Sequence, residues 1–150
     1  MNSILIIAHA PLASALRACA LHVFPDASIV SALDVLPHVS PEETLATARI
    51  MVDQMKRSPS HNVLVLADVF GATPCNVAQK LVAGEHMRMV VGVNLPMLMC
   101  VANKPDIAFD VLVERAMRGG QDGVMTVAAT APQNQSKRKP SDQDIRDHQQ

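Results

Sequence analysis

Two stretches decide the fold: Ile4-Leu5-Ile6-Ile7-Ala8 and Val63-Leu64-Val65-Leu66-Ala67. Each is an unbroken apolar run rich in branched side chains. A strand covered on both faces, as in a parallel sheet, reads this way. Each run ends in one polar residue, His9 after the first and Asp68 after the second. In open α/β sheets, ligands and chemistry gather just past the carboxyl ends of the strands. If the two strands are neighbours, an imidazole and a carboxylate meet at one edge of the sheet.

The segments around these runs alternate in type. Residues 3–8 form the first expected strand, followed by a helix from Pro11 to about Val23. Leu12, Leu16, Cys19 and Val23 recur on one face of that helix at helical spacing, which places Cys19 in the core. Residues 28–33 read as a weaker strand. Ser40-Pro41-Glu42-Glu43 has the form of a capping box with proline at the first helical position. The helix it opens carries Leu45, Ala48, Val52 and Met55 on one side and stops before Ser58-Pro59-Ser60. After the strand at 62–67, Gly71-Ala72-Thr73-Pro74 turns the chain into a third helix, with Thr73 as its expected N-cap. A fourth strand covers 87–93. Asn94-Leu95-Pro96 then opens a helical region broken near Lys104-Pro105 and ended by Gly119-Gly120-Gln121-Asp122-Gly123. Val124-Met125-Thr126-Val127 reads as a short last strand.

Strands alternating with helices predict a doubly wound, mostly parallel sheet with helices on both faces. About four parallel strands and a C-terminal edge strand are expected. The chain has 150 residues, with one domain over 1–130. From 131 onward the composition turns to Pro, Gln, Asn, Ser, Lys and Asp, which reads as a disordered polar tail.

Composition excludes several functions. The net charge of −1 supplies no basic field for nucleic acid, and 2% aromatic residues supply no base-stacking platform. No apolar stretch approaches the roughly 18 residues that span a bilayer, and no secretory leader is visible. A cytoplasmic protein is expected. The three cysteines, Cys19, Cys75 and Cys100, are widely spaced and read as reduced thiols. No metal-ligand spacing and no nucleotide or cofactor motif occurs. His22, His38, His61, His86 and His148 have no carboxylate in a matching loop and are expected at the surface.

His9 is therefore the candidate nucleophile, acting through a neutral ring nitrogen. Asp68 on the other nitrogen would fix the tautomer and stabilise the cation formed on attack. The Thr73 hydroxyl and the backbone amides of Gly71, Ala72 and Thr73 would hold phosphoryl oxygens at a helix N-terminus.

Three segments carry a resemblance: Ile4 to Ala10, Leu64 to Asn76, and Gly92-Val93-Asn94-Leu95-Pro96-Met97-Leu98. In this order and spacing they resemble the mannose-class enzyme IIA domains of the bacterial phosphoenolpyruvate-dependent sugar phosphotransferase system. The likeness covers roughly 1–129. It implies a dimer that exchanges a C-terminal edge strand, here 124–127. It also implies that His9 is phosphorylated by the phosphocarrier HPr and passes the group to an enzyme IIB, with Asp68 and Thr73 in supporting roles. Ala10-Pro11 stands where a glycine often follows the histidine, and Ala72 replaces a second glycine. No IIB domain is expected after the tail. A separate IIB, a regulatory role reporting phosphorylation state, and a phosphoryl donor subunit of the dihydroxyacetone kinase type all stay open.

Overall fold

The computed structural model describes residues 1–129. The polar segment from 131 and His148 lie outside the described residues. Four strands, β1 (Asn2–His9), β2 (Val30–Val35), β3 (Asn62–Ala67) and β4 (Met87–Val91), form one parallel sheet in the order β2-β1-β3-β4. Five helices accompany them: α1 (Leu12–Val23), α2 (Pro41–Met55), α3 (Thr73–Leu81), α4 (Leu95–Val101) and α5 (Phe109–Asp122).

β1 is paired on both sides, with Ile4 opposite Val30 of β2 and Leu64 of β3. Its side chains alternate between two cores. Ile4, Ile6 and Ala8 pack with Leu64, Leu66, Val90 and the buried residues of α1, α4 and α5. Leu5 and Ile7 pack with Val63, Val65, Ala67 and the buried residues of α2 and α3. That double burial is why the sequence shows no period-two alternation there. The chain winds outward from β1 to β2, then crosses back to β3 on the other side. The order thus reverses between β1 and β3, and their carboxyl ends flank the resulting crevice.

The helix starts follow local chemistry. Ser40 Oγ accepts the Glu43 N–H at 3.2 Å and Pro41 takes the first helical position. The reciprocal half of the expected capping box does not form. α1 begins after Pro11, which has no capping side chain. Asp34 of β2 takes that role across the sheet edge, accepting the Ser14 N–H at 3.0 Å and the Ser14 hydroxyl.

Several expectations need correction. The core face of α1 is Ala13, Leu16 and Ala20, and Cys19 is exposed. Alanines packed close to the sheet set that face, and they give little hydrophobic contrast in sequence. β2 starts at Val30 because Ser28 is spent on a turn, its N–H bonding Asp26 O at 2.7 Å. β4 ends at Val91 because Gly92 turns the chain at φ +92°. Thr73 is not the N-cap of α3. Ala72 is, in extended conformation, and Thr73 is the first helical residue with no capping bond. α5 runs through Gly119 and Gly120 to Asp122. A Cβ on Gly119 would meet Cys100 Sγ at 2.5 Å, and one on Gly120 would meet Met97 Cε at 2.9 Å. These glycines let α5 lie against α4; tertiary packing overrides their low helix propensity. Residues 124–127 form no strand among the described residues. Val124, Met125 and Val127 are exposed, and the segment pairs with none of the four strands. A strand needs a partner ladder, and this segment docks on no edge of the sheet.

Candidate active site

The β1–β3 pairing brings together the two residues that end their apolar runs. Ile7 is in register with Ala67, so the next residues of both strands emerge at the same edge. His9 Nδ1 lies 2.7 Å from Asp68 Oδ2. The same oxygen accepts the His9 main-chain N–H at 3.0 Å, and Asp68 Oδ1 accepts the Val69 N–H at 2.9 Å. The carboxylate is thus held at both oxygens, with its side chain only 7% exposed, whereas the imidazole is 55% exposed.

Burial on its own pushes the Asp68 carboxyl up. The hydrogen bonds from the His9 N–H, the His9 ring and the Val69 N–H, together with the charge of His9, outweigh it. The carboxyl ends below its ordinary value. Asp68 is therefore ionised at neutral pH and can only accept, so Nδ1 carries the proton. When the ring is neutral, Nε2 keeps its lone pair, and the imidazole is 55% exposed. In that form the arrangement can present an oriented nitrogen nucleophile whose developing positive charge has a carboxylate behind it.

The turn beyond Asp68 lies at the same edge. Val69 and Phe70 are exposed, Phe70 at 78%, and Gly71 has φ +83°, a conformation that side chains with a Cβ rarely adopt. Thr73 opens α3 exposed, with its hydroxyl making no hydrogen bond among the described residues. Gly71, Ala72 and Thr73 follow Asp68 in this turn, and no hydrogen bond joins them to His9. Asn94 is occupied structurally. Its Oδ1 accepts the Met97 N–H at 3.0 Å, and its Nδ2 donates to Gly120 O at 3.0 Å. Among the described residues no group of three metal-binding side chains occurs, and no helix is long and apolar enough to cross a membrane.

The family described as the PTS system fructose IIA component, EIIA-man, matches residues 3–117. The chain belongs to this mannose-class enzyme IIA family. The mannose-specific EIIAB component of Escherichia coli K12 is 38% identical over 77 residues, which are 49% of this chain and 24% of that protein. The match thus spans about a quarter of that relative's length. The fructose-specific EIIA component of Bacillus subtilis is 50% identical over 40 residues, 26% of this chain and 27% of that protein. The mannose/sorbose specific IIA subunit from Enterococcus faecalis superposes with a TM-score of 0.73 at 23% identity, covering 87% of this chain and 98% of that one. That likeness shows the common enzyme IIA fold.

Sequence reasoning also misplaces His61 of this enzyme IIA chain. His61 is not at the surface but 3% exposed, with Nε2 at 2.8 Å from Ser3 Oγ. Its position one residue before β3 is readable. Its partner at the start of β1 becomes visible only once the β1–β3 register is known.

Proposed function

We propose that this chain is a cytoplasmic phosphohistidine carrier. His9 Nε2 takes a phosphoryl group from phospho-HPr and passes it to a histidine of an enzyme IIB. The single observation that carries this reading is the 2.7 Å contact between His9 Nδ1 and ionised Asp68, which leaves Nε2 free and exposed. In the transfer, the Nε2–P bond forms as the N–P bond of the donor phosphohistidine breaks. The donor ring leaves as neutral imidazole. The ring of His9 keeps its Nδ1 proton and becomes cationic, with Asp68 opposite the new charge. The amides of Gly71, Ala72 and Thr73 at the start of α3 and the Thr73 hydroxyl would bind the phosphoryl oxygens, with the Ala72 N–H giving up its long 3.5 Å bond to Val69 O.

We also infer a homodimer. β4 is an unpaired edge among the described residues, and the apolar residues Val124, Met125 and Val127 lie exposed beyond α5. Exchange of 124–127 between two copies would cover both liabilities.

The test is phosphotransfer from phosphoenolpyruvate through enzyme I and HPr to the purified chain, with peptide mapping of the label. Acid-labile phosphate on His9, absent in His9→Ala, is expected. Label on another histidine overturns the assignment. Light scattering that finds only monomer overturns the dimer and leaves the His9 chemistry intact, because His9 and Asp68 belong to one chain.

A further inference from the structure

The opposite edge of the sheet holds a cavity that the phosphoryl chemistry does not use. It has a volume of about 790 Å³ and lies among the amino ends of the strands. Ser3 of β1 and His61 form polar points of its wall. Phe24 and Ile29 supply apolar wall, and Met51 and Met55 near the end of α2 add flexible thioethers that adapt to a guest. Small-molecule sites have this size and this make-up of apolar lining with a few placed polar groups. β1 separates it from His9 by the length of the strand, roughly 20 Å at 3.3 Å per residue.

His61 is unusual within that wall. It is 97% buried by the complement of its 3% exposure, and its Nε2 is engaged with Ser3 Oγ at 2.8 Å. Its Nδ1 has no partner among the described residues. Yet no fully occluded side-chain nitrogen or oxygen among them lacks a hydrogen bond. Nδ1 therefore keeps access to open space, and the open space beside His61 is this cavity. In the tautomer in which the Ser3 hydroxyl donates to Nε2, the proton of the neutral ring sits on Nδ1 and is offered to the cavity. Arg57 also lines the cavity and makes no ion pair or hydrogen bond among the described residues. The one acid on the lining, Asp26, is exposed.

We propose that this cavity binds a small organic carboxylate with an apolar chain. The carboxylate meets the His61 Nδ1–H and the Arg57 guanidinium, and the chain lies against Phe24, Ile29, Met51 and Met55. Burial, followed by the positive charges of the amino terminus, Arg57 and Lys56, lowers the His61 pKa, so the ring is neutral near pH 7 and the local field is positive. That field suits an anion and repels an ammonium group. The site is independent of the proposed role of His9.

The test uses hexanoate, hexan-1-ol and hexylammonium as probes of the full chain. Binding is followed by NMR of the Met51 and Met55 Cε methyl groups and the His61 ring nitrogens. Hexanoate is expected to shift all of them saturably at millimolar concentration, with the alcohol and the amine at least about tenfold weaker, since a hydrogen bond to a charged group exceeds a neutral one by that order. Arg57→Gln, at an exposed position, is expected to fold normally and to weaken hexanoate about tenfold. His61→Gln is expected to do the same. No saturable shift, equal or tighter binding of hexanol or hexylammonium, or unchanged hexanoate affinity in Arg57→Gln each overturns the proposal.

Discussion

Asp68 Oδ2 accepts both the main-chain N–H and the ring Nδ1 of His9, at 3.0 and 2.7 Å. One oxygen thus fixes the histidine at two points, backbone and ring. Asp68→Asn replaces a charge that can only accept by an amide that can also donate. Transfer to His9 is expected to slow by about 10² to 10⁴, the usual range for loss of an orienting carboxylate. Quench-flow with phospho-HPr measures it, and a rate near wild type would remove Asp68 from the mechanism. The same variant carries a pH signature. The folded Asp68 pKa lies below the unfolded one, so its stabilisation is present above about 3.9 and is lost as pH falls through the folded value. The stability gap between wild type and Asp68→Asn is expected to be constant at neutral pH and to close in acid.

Phe70 is 78% exposed in the turn that follows Asp68. If His9 meets a donor protein as proposed, an exposed apolar ring in the turn after Asp68 is a natural anchor for that partner. Phe70→Ala is expected to raise KM for phospho-HPr about tenfold, with Tm unchanged, as usual for a surface substitution. Steady-state transfer with an unchanged KM would show that the ring is outside the contact.

The α4–α5 contact gives a stability prediction. Gly119→Ala adds a Cβ that would stand 2.5 Å from Cys100 Sγ and 3.0 Å from Cys100 Cβ. Overpacking of this kind costs about 1–3 kcal/mol, against a helix-propensity gain of about 1 kcal/mol. A net loss on the order of 1 kcal/mol, roughly 4 °C in Tm, is expected. Removing the sulfur in the double variant Gly119→Ala, Cys100→Ala should recover most of the loss of the glycine change. Calorimetry that finds Gly119→Ala more stable than wild type would refute the close approach.

His61 makes the fold sensitive to mild acid. Its folded pKa is lowered by burial, then by the amino terminus, Arg57 and Lys56, while the unfolded value is about 6.5. Below about 6.5 the unfolded chain takes up a proton that the folded chain refuses, so stability falls as pH drops from there towards the folded pKa. Above about 6.5 the contribution is fully present. His61→Gln is expected to flatten this part of the stability profile in urea titrations. An identical slope in wild type and variant would contradict it.

Much of this architecture can be read directly from the chain, because two all-apolar runs ending in His9 and Asp68 admit few other arrangements. The α3 start and the α2 cap are also close, since Pro74, Ser40 and Pro41 act locally. What escapes depends on contacts between distant residues. Gly119 and Gly120 look like a helix stop until Met97 and Cys100 are seen beneath them. Cys19 and Val23 look apolar and inward, but the sheet accepts the smaller Ala13 and Ala20. His61 looks like a loop residue because nothing near it in sequence reveals Ser3. The free hydroxyl of Thr73 follows from Ala72 taking the cap, which composition does not show.

The two halves of the His9–Asp68 pair lie 59 residues apart in sequence and at the ends of adjacent strands in the sheet. A chain growing from the ribosome therefore displays its histidine long before its carboxylate. During that interval the imidazole has no partner to set its proton or balance its charge. Under the proposed function, competence as an acceptor would arrive only when β3 docks beside β1, and phosphorylation of His9 would then report that the centre of the sheet has closed.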